Sequence, residues 1–455
     1  MEAFHTVAIN APIVERSVSV AVLPEQETPG GSLFLSNIDQ ASVFYLPMVY
    51  SFDRSDADTV DVIKKALCQV LVHYYPLAGR LARNSQGKLT VDCEKKLGVP
   101  FVEASANCDI EDLGDMKFLD RNVLQKLVYG DATENTVEVA PLLTAQVTKF
   151  RCGGFTVGIA FNHCMFDGTS VMNFMNSWAE IARGRPLSII PCHDRTVLTS
   201  RVPPQITGTS DSFVQISDVS DLKALYEKEQ IVWKSFHFDN AKYNIPNVGD
   251  CVAMSKITSI PITHCFITHN NFTIQCEQQS ISSCSSFVAL AARVWRARTM
   301  ALKMKPHQLS KLLFPVDFRS MMKPPMPRYI GNAVVEACCL CTVGELIDEP
   351  FSFTAGRIRE AIERVNEDYV RSWIDSLDVH QFNLLSLTSL VLVSWQRFDY
   401  GSTDFGWGKP RTFGTGDLPT GCLFMADGRE RKGIVVVLGL PLSAMDTFEK
   451  LVQLE

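Results

Sequence analysis

The sequence has no long apolar run, no basic cluster and no leader-like start. No segment offers the ~18 consecutive apolar residues that a membrane-spanning helix requires. The first residues, MEAFHTVAIN, lack the basic stretch followed by an apolar stretch that is typical of a secretory signal. The 43 Lys and Arg residues and 50 Asp and Glu residues are scattered along the chain, which argues against nucleic acid as a partner. We therefore expect a cytoplasmic protein without an integral membrane segment.

Recognisable metal and hydrolase motifs are also missing. The 14 cysteines form no paired CxxC clusters with histidines, so the sequence predicts no metal site. The densest group, Cys338, Cys339 and Cys341, lies in the apolar run AVVEACCLCTV, where cysteine behaves as a small buried hydrophobe. A GxSxG elbow is absent, which speaks against a serine hydrolase. No internal repeat or heptad series is visible, so solenoids and coiled coils are excluded.

What is present is an alternation of strand-like and helix-like segments in a chain of 455 residues, 46% hydrophobic and 20% charged. One core rarely grows beyond ~250–300 residues, so this length predicts two α/β domains. A stretch rich in Ser, Thr, Pro and Asp over 191–220 has little periodicity and is typical of a crossover. We expect a first domain over 1–190, a linker over 191–225 and a second domain over 226–455.

Hydrophobic periodicity predicts the main elements of both halves. Strands are expected at 42–52, 155–163, 231–238 and 433–441, a short hairpin at 79–93, and helices at 60–74, 285–302 and 354–377.

The most informative passage is FTVGIAFNHCMFDGTSVMNFMNSWAEIARG, residues 155–184. Alternating apolar residues predict a strand that ends at His163, Asp167 and Gly168 form a turn, and a helix follows until Gly184. A neutral imidazole at the end of a strand can accept a proton from a hydroxyl or an amine. Asp167 could orient that imidazole or support the turn. A hydrogen-bonded histidine in the core would give the same pattern.

A second passage, Asp404-Phe-Gly406-Trp407-Gly408, has two glycines around a tryptophan and predicts a tight structural loop. Together, HxxxDG and DFGWG in this order resemble the two signature motifs of the plant BAHD acyltransferases. The resemblance extends over the whole chain through HYYPLAGRL, SSFVALAARVWRART, PVDFRS and YIGNAV.

The resemblance implies two similarly built chloramphenicol-acetyltransferase-like domains, each with a mostly antiparallel sheet and flanking helices, and an active-site channel at their interface. It implies acyl-CoA as co-substrate, no permanently bound cofactor, no metal, and a monomer. His163 would be the general base, Asp167 would pair with an arginine and hold the turn together with Gly168, and the DFGWG loop would be structural. Trp395 matches a tryptophan that donates to the oxyanion, although core packing is an equally open reading of this residue.

The resemblance also suggests substrates. LFLSNIDQ, residues 33–40, and two further segments are similar to members that transfer feruloyl or related hydroxycinnamoyl groups to ω-hydroxy fatty acids and fatty alcohols. Tyr45, Val393 and His380 stand where shikimate- and quinate-using members carry polar acid-binding residues, which argues against such acceptors. An amine or specialised alcohol acceptor and a benzoyl-type donor stay open.

Three residues are candidates for contacts on the CoA side: Ser286, Arg319 and Lys409 lie in segments that the family places there or at the domain interface. Ordinary surface or structural roles are the alternative for each. A non-catalytic acyl-CoA-binding paralogue is the rival hypothesis for the whole chain, and the complete HxxxDG motif speaks against it.

Overall fold

The computed structural model describes residues 13–114, 116, 119–130, 139–207, 211–217, 219–239, 263–268, 271–278, 285–379, 387–415, 421–427 and 433–453. Contacts divide the chain into two compact units. The first comprises residues 1–200, 324–333 and 398–417, and the second comprises 201–323, 334–397 and 418–455. Two late segments of the chain therefore belong to the first unit.

The first unit contains a seven-stranded, mostly antiparallel sheet in the order β1-β7-β8-β9-β4-β16, with β2 also paired to β7. Only β7 and β8 run parallel within it. Its strands are β1 (Val14–Arg16), β2 (Val20–Val22), β4 (Tyr45–Phe52), β7 (Val99–Ala106), β8 (Leu143–Phe150), β9 (Phe155–Asn162) and β16 (Thr412–Thr415). A smaller sheet joins β3 (Ser32–Phe34), β5 (Arg80–Arg83) and β6 (Leu89–Asp92). The hairpin expected at 79–93 is β5 and β6, paired antiparallel.

Helices of the first unit are α1 (Asn37–Gln40), α2 (Thr59–His73), α3 (Arg121–Leu127) and α4 (Gly168–Ala182). Helices α2 and α4 pack together through their apolar faces, as their periodicity predicts. Tyr74 and Ser177 share a hydrogen bond of 3.1 Å there, and Trp178 donates its indole N–H to the carbonyl of Ile63 at 2.9 Å. Both tryptophan and tyrosine thus bury their rings while satisfying their polar atoms.

The second unit contains a six-stranded sheet in the order β10-β18-β17-β15-β13-β14 and a separate β11-β12 pair. The strands are β10 (Ile231–Asp239), β11 (Thr263–Thr268), β12 (Asn271–Gln278), β13 (Leu309–Asp317), β14 (Val334–Thr342), β15 (Ser389–Ser394), β17 (Cys422–Ala426) and β18 (Gly433–Pro441). The helices are α5 (Ser220–Lys228), α6 (Ser286–Ala301), α7 (Val343–Asp348), α8 (Phe351–Glu363), α9 (Glu367–Val379) and α10 (Leu442–Gln453). Strand β15 runs parallel to both of its neighbours.

The expected strands and helices are confirmed, with one correction. The pattern over 354–377 predicts a single helix, but the structure has α8 and α9 instead. Asn366 lies between them, and its side-chain oxygen accepts a hydrogen bond from the N–H of Tyr369 at 2.9 Å. An asparagine that caps a new helix in this way competes with helix continuation, and apolar spacing alone does not show it.

The cysteine-rich run forms β14. Cys338, Cys339 and Cys341 are buried there, and burial raises the pKa of the Cys338 and Cys341 thiols to about 12. These thiols are therefore protonated and act as apolar packing groups. Within the described ranges, no helix is both long and apolar enough to cross a bilayer.

Candidate active site

His163 follows directly after β9 and is anchored by its neighbours in the first unit. Its N–H donates to the carbonyl of Phe44 at 2.7 Å. The imidazole stacks on the Phe44 ring with centroids 4.9 Å apart and an interplanar angle of 29°. The residue is partly exposed, whereas Cys164, Met165 and Phe166 behind it are buried. The end of β9 therefore leaves the imidazole of His163 partly exposed, while the residues that follow it are packed in the core.

Burial lowers the pKa of His163 below its ordinary value of 6.5, and the carboxylates of Asp167 and Asp39 act in the opposite direction. The first effect is the larger, so the imidazole is neutral near pH 7. A neutral imidazole has one nitrogen with a free lone pair and can therefore act as a base.

Asn332 fixes the backbone behind this histidine. Its side-chain nitrogen donates to the carbonyl of His163 at 2.8 Å and to the carboxylate of Asp39 at 2.9 Å. Among the described residues, Nδ1 of His163 and Oδ1 of Asn332 are buried and complete no hydrogen bond. The pKa of His163 stays lowered by burial; Asp167, the histidine's own backbone and the Asn332 side chain each oppose this effect. If Nδ1 carries the proton, Nδ1 is a hydrogen-bond donor and the amide oxygen Oδ1 is an acceptor. The free lone pair of the imidazole is then on Nε2.

Asp167 begins α4. Its Oδ1 accepts from the N–H of Ser170 at 2.8 Å, and its Oδ2 accepts from the N–H of Ala333 at 2.9 Å. These contacts support the turn after His163, and the structural role that the resemblance implies for Asp167 stays a prediction. The arginine partner that the resemblance implies stays a prediction. Gly168 is the first residue of α4, and its partly exposed position directly follows the capping carboxylate.

Hydrogen bonds between Ser170 and Gly331 also connect this turn to the segment 324–333. The hydroxyl of Ser170 donates to the carbonyl of Gly331 at 2.9 Å, and the N–H of Gly331 lies 3.1 Å from that hydroxyl oxygen. Gly331 has φ of 152°. A Cβ at this position would lie 2.7 Å from the Tyr329 hydroxyl and 3.0 Å from a guanidinium nitrogen of Arg195. Glycine is therefore required for this close approach.

The DFGWG loop is held within the first unit by hydrogen bonds inside the loop and by contacts of Trp407 with residues outside it. Oδ1 of Asp404 accepts from the N–H of Gly406 at 2.8 Å and of Gly408 at 2.9 Å. Both glycines have positive φ, 118° and 96°, which favours glycine over other residues. Trp407 donates its indole N–H to Asp56 at 2.7 Å and meets the Phe155 ring edge-on at 5.7 Å. These contacts hold the loop in place, and its purely structural role stays a prediction.

Trp395 lies directly after β15 in the second unit. Its N–H donates to the carbonyl of Phe424 at 2.7 Å, so the parallel pairing with β17 continues to this residue. Trp395 as a whole residue is 8% exposed. Val393, on the same strand, is half-buried. The role of Trp395 as an oxyanion donor stays a prediction.

The three CoA-side candidates occupy different settings. Ser286 is the first residue of α6 and is buried. Arg319 is buried as well, and its guanidinium forms an ion pair of 2.7 Å with Asp317. Lys409 is exposed beside the DFGWG loop. Of the three residues linked to shikimate or quinate, Tyr45 donates its hydroxyl to the carbonyl of Pro141 at 2.5 Å, and His380 lies outside the described residues.

Sequence reasoning missed Asp39, Arg195 and Asn332. These residues form a buried hydrogen-bond network, in which Asn332 donates to the carbonyl of His163. The only local signal was the Ser36-x-x-Asp39 spacing of a capping box, which the structure contains. Asn332 and Asp39 were visible only as parts of segments similar to the family. Arg195 lies in the irregular stretch after residue 190, where periodicity gives no information.

Comparison with known proteins places this geometry in a family. The model of the Transferase family matches residues 13–454. An omega-hydroxypalmitate O-feruloyl transferase of Arabidopsis thaliana is 44% identical over 443 residues, covering 96% of this chain and 92% of that protein. A fatty alcohol:caffeoyl-CoA acyltransferase of the same plant is 40% identical, covering 96% and 97%.

Solved structures agree on the fold. Vinorine synthase has a TM-score of 0.71 at 23% identity, covering 97% of this chain and 98% of that chain. TRI101 of F. graminearum, complexed with coenzyme A and T-2 mycotoxin, has a TM-score of 0.68 at 17% identity, covering 91% and 96%. The family model and the two plant relatives show that the chain belongs to the transferase family of BAHD acyltransferases, enzymes that use acyl-CoA as co-substrate.

Proposed function

We propose that this chain transfers a hydroxycinnamoyl group, such as feruloyl, from CoA to the hydroxyl of a long apolar acceptor, either an ω-hydroxy fatty acid or a fatty alcohol. The donor and acceptor classes are those in the names of the relatives at 44% and 40% identity. The observation that carries the chemistry is the neutral, partly exposed His163 at the end of β9.

In the proposed reaction, Nε2 of His163 removes the proton from the acceptor hydroxyl. The oxygen attacks the thioester carbonyl, the carbonyl electrons move onto oxygen, and a tetrahedral oxyanion forms. Collapse of this oxyanion forms the ester and breaks the carbon–sulfur bond, and the departing CoA thiolate takes the proton from the imidazolium. No covalent acyl-enzyme is needed, because base, acceptor and thioester react in one ternary complex.

Trp395 is proposed to donate its indole N–H to the oxyanion, and a donor of this kind contributes roughly 3 kcal/mol to lowering the barrier. Asp167 and the DFGWG residues Asp404, Gly406, Trp407 and Gly408 support the site without touching reacting atoms. Ser286, Arg319 and Lys409 are proposed as CoA contacts, because CoA phosphates require cations or hydrogen-bond donors.

The test combines purified protein with feruloyl-, caffeoyl-, benzoyl- and acetyl-CoA and with ω-hydroxypalmitate, fatty alcohols and amines, following release of free thiol. Feruloyl or caffeoyl transfer to the long hydroxyl acceptors is the expected result. His163→Ala should reduce turnover about 10²- to 10⁴-fold, as for loss of a general base. Full turnover by His163→Ala would show that the base is wrong.

One relative favours an alternative acceptor. A hydroxycinnamoyl-CoA:5-hydroxyanthranilate N-hydroxycinnamoyltransferase of Avena sativa is 30% identical over 455 residues. Preference for the amine panel would assign N-acylation. A benzyl alcohol O-benzoyltransferase of Nicotiana tabacum at 32% identity gives the corresponding alternative for the donor. Binding of CoA without product would indicate a non-catalytic paralogue.

The proposal also includes a monomer in the cytoplasm. Light scattering coupled to gel filtration tests the monomer, and a fluorescent fusion in plant cells tests the location.

A further inference from the structure

Asp39 is a fully buried carboxylate whose two oxygens accept hydrogen bonds from different groups. Its Oδ1 accepts from the backbone N–H and from the side-chain nitrogen of Asn332, both at 2.9 Å. Its Oδ2 accepts from the N–H of Ser36 at 2.9 Å, the hydroxyl of Ser36 at 2.8 Å and Nε of Arg195 at 3.1 Å. All five partners are donors, so the site is built for an ionised carboxylate.

Arg195 supplies the counter-charge. Its side chain, like that of Asp39, is 0% exposed. Besides the ion pair, the guanidinium donates to the carbonyl of His193 at 3.2 Å and to the carbonyl of Met165 at 3.5 Å. Met165 lies in the turn directly after His163. A buried ion pair is stable only when the remaining hydrogen-bonding groups of both side chains are also satisfied. Here the guanidinium of Arg195 is satisfied by the carbonyl of His193 and by the carbonyl of Met165 in the histidine turn.

This arrangement fixes the Asn332 amide in one orientation. The carboxylate of Asp39 and the carbonyl of His163 both accept from Nδ2, at 2.9 and 2.8 Å. A flipped amide would set its oxygen against two acceptors. The remaining atom, Oδ1, is therefore the acceptor that this amide can offer to Nδ1 of His163: both atoms are buried, and neither has a hydrogen-bond partner among the described residues.

We propose that Asp39, held by Arg195, is a positioning residue for catalysis, which acts through Asn332 to hold His163 in the orientation and tautomer that expose the Nε2 lone pair. The inference rests on the proposed function of His163 as the base. Asp39 touches no reacting atom, so its loss changes turnover more than substrate binding.

A substitution of similar size tests the geometry sharply. In Asp39→Asn, one carboxylate oxygen becomes an NH₂ group. That group must face either the donors of Asn332 or the donors of Ser36 and Arg195, so one set of hydrogen bonds is lost in either orientation. We expect kcat for feruloyl transfer to fall about 10- to 100-fold, with KM for feruloyl-CoA changed less than about threefold, since misplacement of a catalytic group by an ångström has effects of this size.

A matched control exists in the second unit. Asp375 is 1% exposed, forms an ion pair of 2.7 Å with Arg201 and also accepts from the backbone N–H groups of Arg201 and Gln205. Asp375→Asn damages a comparable buried pair but leaves Asn332 intact. We expect it to lower the melting temperature while kcat of the folded protein stays within about twofold of the wild type.

A tautomer measurement separates positioning from general support. In protein labelled with ¹⁵N-histidine, the wild type should show His163 with the proton on Nδ1, and Asp39→Asn should shift the population toward Nε2–H. A double-mutant cycle with Asn332→Ala should be strongly non-additive, because both changes break the same path. Additive losses or an unchanged tautomer would overturn the inference.

If Asp39→Asn fails to fold, Asn332→Ala decides the matter, because it removes the link and retains the ion pair. Loss of kcat with a changed tautomer supports the inference, and unchanged kcat overturns it. Full turnover by His163→Ala would instead refute the proposed function. If His163→Ala were inactive while Asp39→Asn and Asn332→Ala kept full activity, only this inference would be refuted, and the proposed function would stand.

Discussion

Asp167 connects the histidine turn to a segment 166 residues further along the chain by accepting a hydrogen bond from the N–H of Ala333 at 2.9 Å. Its other carboxylate oxygen caps α4 through Ser170. Since both oxygens face backbone donors, this aspartate supports the turn from two directions. Its charge also opposes the burial effect that lowers the pKa of His163.

Asp167→Asn should therefore destabilise the protein. One oxygen becomes an NH₂ group that faces an N–H donor, so one buried hydrogen bond is lost. We expect the free energy of unfolding to fall by about 1–3 kcal/mol, measured by urea denaturation. Asp58→Asn is the control, because Asp58 occupies the N-cap of α2 without a side-chain capping bond. An equal loss in both variants would contradict this role.

The pH dependence of catalysis should report His163. Burial lowers its pKa below 6.5, and the residue must be neutral to remove a proton. The value of kcat/KM should therefore be constant near pH 7–8 and decrease as the pH falls through a pKa below 6.5. Initial rates between pH 4.5 and 8.5, with feruloyl-CoA stability checked at each pH, give the profile. An acidic limb above pH 6.5 would contradict the burial effect.

Trp395→Phe tests the proposed oxyanion donor. Phenylalanine retains most of the packing but lacks the N–H, so kcat should fall about 10²-fold with little change in KM or melting temperature. The control is Trp373→Phe in α9, where the ring stacks at 6.4 Å against Tyr369. A similar kcat for both variants would assign Trp395 to packing.

Glu336 in β14 should make stability depend on pH. Burial raises the pKa of this carboxyl from 4.5 to about 7. The folded protein therefore binds more protons than the unfolded chain between these values, and stability decreases as the pH rises through this window. Glu336→Gln removes the effect.

The gain from Glu336→Gln at pH 8 should be about 1–2 kcal/mol, and the difference from wild type should vanish at pH 4.5. A complete shift would correspond to roughly 3.4 kcal/mol, but the residue is partly exposed and its carboxylate can relax toward water. Urea denaturation at both pH values measures the change. A gain of equal size at the two pH values would show that packing, not ionisation, is responsible.

Local sequence predicted the strand, turn and helix around His163 because their signals are short in range. The alternation over 155–161 defines β9, and Asp167 caps α4 four residues after the histidine. Helix α6 was equally visible from its apolar spacing, and the structure adds Ser285 as its N-cap. These elements depend on neighbours within about four residues, so pattern reasoning is sufficient.

The support behind His163 could not be predicted in the same way. Asp39, Arg195 and Asn332 meet only after folding, with sequence separations of 156 and 293 residues from Asp39. Polar residues in irregular segments have no periodicity that indicates their partners. The prediction of one continuous helix over 354–377 was wrong for a related reason. A capping asparagine at position 366 leaves the helical spacing of the apolar residues around it unchanged.

The pairing of β16 with β4 has a consequence for synthesis of the chain. Until residues 412–415 have been made, the strand Tyr45–Phe52 has one free edge. At ~5–20 residues per second, translation from residue 200 to residue 417 takes roughly 10–45 s. During that time an apolar strand edge is open to pairing with other nascent chains. A slow elongation step after residue 200 would therefore lower the yield of soluble protein, and co-expressed chaperones would restore it.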